Sequence, residues 1–267
     1  MGDPWAVYVA EVMLQQTSTA RVLEPWRRFL DLFPTPAACA GAGLDEVLRA
    51  WRGLGYPRRA KALHDAARLM VERHEGRVPS SVPDLLALPG VGSYTAHAVA
   101  SFAFGERVAV LDTNVGRVLA RALANRALTP REARDLAAAL LPRRGAAAFN
   151  QSLLDLGAQF CTATPRCGTC PVARCCRWRR DGGEDPAPRS AAVSRPQGSF
   201  AGSDRQIRGR LLRLLEEAAR TRGDLHRELG DVDAARLERL LEGLVGEGLV
   251  SVLGSRLVLG TARRPSR

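Results

Sequence analysis

The chain has almost no lysine: of its 39 basic residues only Lys61 is one. Chemistry that needs a primary amine side chain is therefore confined to that position. Aromatics make up 5% of 267 residues, so a core has to be built mainly from Leu, Ala and Val. No apolar run approaches the ~20 residues of a membrane-crossing helix, which argues against a membrane span. Met1 to Val12 lacks the basic start, apolar middle and small-residue cleavage site of a secretory signal. No segment alternates apolar and polar residues long enough for a central sheet, and no internal repeat is visible.

Against these absences stands a strong positive charge. Lys plus Arg total 39 and Asp plus Glu 28, a net +11. Residues 1–180 hold 24 basic and 15 acidic side chains, and residues 181–267 hold 15 and 13. The excess sits in the first two thirds, as expected of a surface that meets a polyanion; a solvated basic surface is the plain alternative. Five of the six cysteines (Cys161, Cys167, Cys170, Cys175 and Cys176) fall within sixteen residues. Without an export signal this reads as a metal or cluster site rather than a disulfide framework. The sixth, Cys39, reads as a small core residue.

Residues 4 to about 180 are expected to be helical, because apolar residues recur at helical spacing, as in Leu44, Val47, Leu48 and Trp51. Residues 183–203, with Gly and Pro concentrated among few large apolar groups, read as a linker. From 204 to 267, three amphipathic stretches precede two short strand-like runs around Gly254-Ser255. That is the order of a winged helix, with a nonspecific helical tail as the alternative.

Four constellations carry chemistry. Cys161-x5-Cys167-x2-Cys170, followed by Cys175 or Cys176, can wrap a [4Fe-4S] cluster. A structural zinc site is the alternative, but the paired knuckles usual for zinc ribbons are absent. Arg166, Arg174, Arg177, Arg179 and Arg180 surround the loop, with no acid between 161 and 180. Second, Leu88-Pro89-Gly90-Val91-Gly92-Ser93-Tyr94-Thr95-Ala96 lies between two helical patterns and has the form of a helix-hairpin-helix. Its glycines and helix-start amides suit a DNA phosphate. Third, Glu11 stands alone among apolar neighbours from Ala6 to Leu14; such a carboxyl can act as a general acid near neutral pH, unless it is a surface residue. Fourth, Asp112 either simply caps the helix that follows or is a carboxylate held ionised by that helix's dipole. An acid beside an ionised carboxylate is the arrangement of a glycosidase.

These motifs occur together and in order with Glu11-Val12-Met13-Leu14-Gln15-Gln16-Thr17, Gly53-Leu54-Gly55-Tyr56 and Leu111-Asp112-Thr113-Asn114-Val115. Over about residues 3–180 the chain resembles the helix-hairpin-helix (HhH-GPD) DNA glycosylases, and within them the MutY family of adenine glycosylases. The resemblance implies an all-α fold. A six-helix barrel would span about 4–111 and an iron–sulfur helical domain about 112–182, together a glycosylase region of 1–182. A small α+β winged-helix-like module would occupy 204–267, where many members carry a Nudix-like domain. The implied substrate is double-stranded DNA with adenine opposite 8-oxoguanine or guanine, the adenosine being flipped out. Glu11 and Asp112 would be catalytic, supported by Tyr94 and Asn114. Gln16 and Tyr56 match residues that wedge into the base stack, and Leu54 matches one that faces the opposite base. Leu88, Gly90, Gly92, Ser93 and Thr95 would complete the DNA-binding set, and Cys161, Cys167, Cys170 and Cys176 would hold the [4Fe-4S] cluster.

Endonuclease III-type relatives use a hairpin lysine to form a Schiff base; Tyr94 stands at that position, so a monofunctional enzyme is expected. The resemblance further implies a monomer in the bacterial cytoplasm, at the nucleoid. Two departures qualify it. The first cysteine spacing is one residue shorter than usual, which keeps Cys175 in contention with Cys176. The family's segment ahead of Asp3-Pro4-Trp5, with a Leu-Pro-Trp-Arg string, is missing, and the expected cause is a misassigned start or a truncation. An endonuclease III-like enzyme acting on oxidised pyrimidines and a catalytically impaired DNA-binding iron–sulfur protein remain the alternatives.

Overall fold

The computed structural model describes residues 2–193 and 198–260. Met1, residues 194–197 of the expected linker and residues 261–267 of the expected C-terminal module lie outside the described residues. In chain order the helices begin with α1 (Pro4–Leu14), α2 (Thr19–Leu32), α3 (Pro36–Gly41), α4 (Leu44–Ala50) and α5 (Arg58–Arg73). Next come α6 (Val82–Leu86), α7 (Ser93–Phe104), α8 (Thr113–Val118), α9 (Pro130–Ala139), α10 (Ala146–Gln159) and α11 (Arg177–Asp181). The last three are α12 (Asp204–Glu217), α13 (Arg222–Glu228) and α14 (Ala234–Gly246). Strands β1 (Arg220–Thr221), β2 (Val250–Leu253) and β3 (Arg256–Leu259) form one small sheet. The all-α expectation with a small C-terminal α+β module is met. Among the described residues no helix is long and apolar enough to cross a membrane.

Contacts divide the chain into two compact units. Of the described residues, one holds Tyr8–Pro79, Ala87–Gly90 and 198–260, the other 2–7, Ser80–Leu86 and 91–193.

In the first unit, small residues on α5 (Ala60, Ala66 and Ala67) let α3 and α4 come close. Phe29 packs edge-on against Phe33 and Trp51, with ring centres 4.9 and 6.3 Å away. Cys39 is fully buried here, and burial pushes its thiol up to about 12, so it stays an inert core residue. The C-terminal module belongs to the same unit. Its helices start on side-chain caps: Ser203 accepts from the Gln206 amide, Thr221 from Asp224 and Asp233 from Arg236. The sheet is antiparallel in the order β1-β3-β2, with Val250 opposite Leu259 and Arg220 opposite Leu257. Ile207, Leu211, Leu215, Leu225, Leu237, Leu241 and Leu257 fill its core. Helix α12, then β1, α13 and α14, then the hairpin give the winged-helix order; the two-residue β1 has no signature in the sequence.

In the second unit, Val115, Leu119, Leu128, Ala133 and Ala137 form a core cluster around α8, α9 and α10. Helix α8 runs on through wider turns over Leu119–Ala124. Thr129 caps α9 in a reciprocal box with Glu132, and Pro130 occupies the first turn. Gly157 on α10 lies so close to α8 that a Cβ there would sit 2.5 Å from the Asn114 carbonyl oxygen. Part of the expected linker is docked on this unit. Asp185 pairs with Arg121 at 2.6 Å, the Leu128 amide donates to Ser190 Oγ at 3.1 Å, and Thr113 Oγ1 donates to the Ala192 carbonyl at 2.9 Å. Composition marks such a segment as loose, but these three contacts hold it to the unit.

Candidate functional site

Asp3 opens α1, its carboxylate oxygens accepting from the Trp5 and Ala6 amides, both at 3.3 Å. The helix then buries Trp5, Tyr8, Val9, Val12 and Met13, and Glu11 lies among them at 7% exposure. Glu11 is therefore no surface residue: its carboxyl has left bulk water.

Past the end of α1, the guanidinium of half-buried Arg59 gathers the free carbonyls. Arg59 Nη1 donates to Val12 at 3.1 Å, to Met13 at 2.9 Å and to Gln15. Its Nη2 donates to Thr17 Oγ1 and the Leu54 carbonyl, both at 3.1 Å, and to Gly55 at 3.2 Å. The same group lies 5.4 Å from the Trp51 ring centre and 5.3 Å from that of Tyr56. Burial lowers its pKa to about 10, so it stays charged at any working pH. Arg59 thus joins the end of the Glu11 helix to the Gly53–Tyr56 loop. Trp51 Nε1 donating to the Gly55 carbonyl at 3.0 Å, and Arg21 to Gly53 at 2.8 Å, hold the loop further. Gln16 and Tyr56 adopt left-handed backbone, with φ of 56° and 49°, which only a well-determined surrounding keeps in non-glycine residues. Gln16 is exposed and Tyr56 half-buried, whereas the Leu54 and Leu88 side chains are buried. As they stand, those two leucines offer a ligand only their main chain. Exposed Gly90 has φ 74°, and a Cβ there would meet Ala62 Cβ at 2.6 Å, so the hairpin needs glycine against α5.

In the other unit Gly92 caps α7, leaving Gly92 and Ser93 exposed, Tyr94 half-buried and Thr95 buried. Asp112 is the N-cap of α8, its Oδ1 accepting from the Val115 amide at 2.8 Å. Asn114 Nδ2 donates to Asp112 Oδ2 at 2.7 Å. The helix dipole and these bonds favour the charged form, as expected, but burial outweighs them and raises the Asp112 pKa above its ordinary value. Desolvation depends on packing, which the cap pattern does not encode. Arg117 then donates to Asn114 Oδ1 at 2.6 Å, to the Gly157 carbonyl at 2.9 Å and, through Nε, to the Cys161 carbonyl at 2.7 Å. A hydrogen-bonded line thus runs from the Asp112 carboxylate to the main chain of the first loop cysteine.

Cys161, Cys167, Cys170 and Cys176 line one pocket with Val118, Leu156, Phe160 and Trp178, while Cys175 is exposed and outside it. Among the described residues no three His, Cys, Asp or Glu side chains are set to hold a metal ion. The four thiols fit an iron–sulfur group in donor type and in sharing a pocket, not in a preset geometry. Arg121, 2% exposed, organises this loop: it donates to the Thr162 carbonyl at 2.6 Å, to Ala163 at 3.2 Å and to Cys161 Sγ at 3.5 Å. Arg59, Arg117 and Arg121 are the positions organising this arrangement that the sequence reading missed. Only Arg117 carries a local signal, three residues after Asn114 on one helix face.

This fold is that of a base excision repair enzyme. The family model for HhH-GPD superfamily base excision DNA repair proteins matches residues 9–143, and the chain belongs to that superfamily. It is a DNA glycosylase. It is 46% identical over 261 residues to the adenine DNA glycosylase of Mycobacterium tuberculosis, covering 93% of this chain and 83% of that protein. The adenine DNA glycosylase of Mycolicibacterium smegmatis is likewise 46% identical, over 92% of this chain and 84% of its own length. Among solved structures, a thermostable thymine-DNA glycosylase matches with a TM-score of 0.62 and 27% identity, covering 68% of this chain and 86% of that one.

Proposed function

We propose that this enzyme removes adenine from A:8-oxoguanine and A:G mispairs in double-stranded DNA, by hydrolysing the N-glycosidic bond of a flipped adenosine and leaving an abasic site. The observation that carries this reading is the buried Glu11 in a chain so similar to adenine glycosylases over 93% of its length.

The Glu11 carboxyl donates its proton to adenine N7, and the C1′–N9 bond breaks with its electron pair going to the base. The Asp112 carboxylate, oriented by Asn114 and the Val115 amide, stabilises the positive charge left at C1′. The Glu11 carboxylate then takes a proton from water as the water oxygen bonds to C1′. Tyr94 supports this pair and, standing where a lyase would need a lysine, leaves the enzyme monofunctional. Gln16 and Tyr56 enter the base stack, and the main chain at Leu54 lies at the opposite base. The Leu88–Thr95 hairpin, through Gly90, Gly92, Ser93 and Thr95, takes a phosphate. Cys161, Cys167, Cys170 and Cys176 would hold a [4Fe-4S] cluster, which supplies shape to an arginine-rich loop rather than redox chemistry. The catalytic region is residues 1–182, and the enzyme works as a monomer at the bacterial nucleoid.

The test uses a duplex with one A:8-oxoguanine pair, labelled on the adenine strand, with each sample split before hot alkali. Cleavage only after alkali is expected. Cleavage without alkali overturns the monofunctional assignment and favours the endonuclease III-like alternative. Binding without any cleavage, by cluster-loaded protein, favours the impaired binder.

A further inference from the structure

The C-terminal module touches the chain before, at and after the tip of the 53–56 loop. Ahead of it, Arg52 pairs with Glu216 at 3.5 Å, and a Cβ on Gly260 would lie 2.7 Å from the Asp45 amide of α4. After it, Glu247, with its side chain 17% exposed, pairs with both Arg58 on α5 and Arg208 on α12, and the Lys61 stem lies against Gly248. At the tip, Arg205 Nη1 donates to the Tyr56 hydroxyl at 3.1 Å. Arg205 is itself fixed: it sits in the first turn of α12, donates to the Gly198 carbonyl at 2.8 Å and lies 6.0 Å from the Phe200 ring centre. Tyr56 is thus held between two guanidinium groups, Arg59 at its ring and Arg205 at its hydroxyl, in a left-handed backbone that needs such support.

We propose that Arg205 is a positioning residue for Tyr56, through which the C-terminal module governs how the 53–56 loop enters duplex DNA. This rests on the reading that Tyr56 wedges into the base stack. The module then works without offering DNA its own third helix. Arg236 and Arg239 on α14 pair with Asp204, and Glu238 pairs with Arg222, so the usual reading helix of a winged fold spends its arginines internally. The side chain that couples module and loop is short-range and specific, because it meets one phenolic oxygen.

The full-length protein is tested on a duplex carrying 2-aminopurine beside the mispair, whose fluorescence rises on unstacking, alongside single-turnover excision. Arg205→Ala and Tyr56→Phe should each lower the fluorescence rise and the excision rate by about 3- to 10-fold, and the double variant should be no worse than either. Arg205→Lys, which keeps the charge and a donor, should recover part of the loss. Multiplying effects in the double variant would mean that Arg205 acts on DNA directly, and would overturn the proposal. So would a Tyr56→Phe variant indistinguishable from the parent, and that change is too small to unfold the protein if Arg205→Ala does. If Tyr56→Ala leaves unstacking intact, the wedge reading itself fails, and that result does not depend on Arg205.

Discussion

Arg121 and Arg59 do one job in two different settings. Each is a guanidinium, buried at Arg121 and half-buried at Arg59, that gathers main-chain carbonyls from distant segments and so fixes a loop that carries candidate site residues. Arg121 holds the cysteine loop and has a carboxylate partner, Asp185. Arg59 holds the end of α1 and the Gly53–Tyr56 loop with carbonyls, one hydroxyl and two aromatic faces, and none of its bonds goes to a carboxylate. Burial lowers both, but at Arg121 the Asp185 carboxylate outweighs it, whereas Arg59 is left at about 10, because dipoles compensate a charge less completely than an opposite charge does. The cysteine loop is therefore bonded to an arginine whose charge is balanced by one carboxylate. The Tyr56 loop is held by many weaker bonds that can be trimmed one at a time.

Removing the charge partner should have the largest effect. Asp185→Ala leaves Arg121 buried and unpaired and should cost about 3–5 kcal/mol in thermal or urea unfolding. Replacing both residues with apolar ones of similar size should return most of that loss; if it does not, Arg121 matters through its carbonyl bonds alone, and the contrast with Arg59 disappears. Next, Arg59→Lys keeps the charge but has three donors for six acceptors and loses the flat face. It should cost on the order of 2–3 kcal/mol and lower excision more than it lowers DNA affinity. A smaller effect is expected from Gly157→Ala. Its Cβ would press on the Asn114 main chain and cost about 1–3 kcal/mol, with the excision rate falling as the Asp112 cap shifts.

The smallest effect on stability has the opposite sign. The folded pKa of Asp112 is raised, so the folded state holds its proton more tightly than the unfolded chain does. The stability this contributes is full below the ordinary value of 3.8 and is lost as pH rises through the raised folded value. At neutral pH the buried charge is a cost. Asp112→Asn should therefore abolish excision yet raise the melting temperature at pH 7, with the gain shrinking toward acid. A lower melting temperature at pH 7 would mean that the cap outweighs desolvation.

The candidate site was readable in the sequence wherever its signal is local. Glu11 announces itself as one carboxyl in an apolar helical stretch, and its burial follows from the stripe it shares. Asp112 announces itself by its place at a helix start, and Asn114 lies two residues on. Gly90 and Gly92 mark the hairpin because only a close approach or a special turn favours glycine there. Arg59 and Arg121 were not readable, since their partners are carbonyls up to 47 residues away in sequence and every residue carries the same carbonyl. The buried side chains of Leu54 and Leu88 were also beyond sequence reasoning, because a leucine beside a glycine turn has the same local pattern whether it faces core or ligand.

Sequence alone determined the helical periodicity, the caps, the cysteine spacing and the confinement of amine chemistry to Lys61. These depend on neighbours within a turn or two of helix, where a fixed rise per residue converts spacing into geometry. Tertiary structure decided which of the cysteines share a pocket and how far burial opposes the charge on Asp112. It also decided that Asp185 anchors a segment with the composition of a linker, and that Arg205 reaches the hydroxyl of Tyr56. Those outcomes depend on desolvation and on contacts between residues far apart in the chain, and such contacts exist only after packing has brought them together.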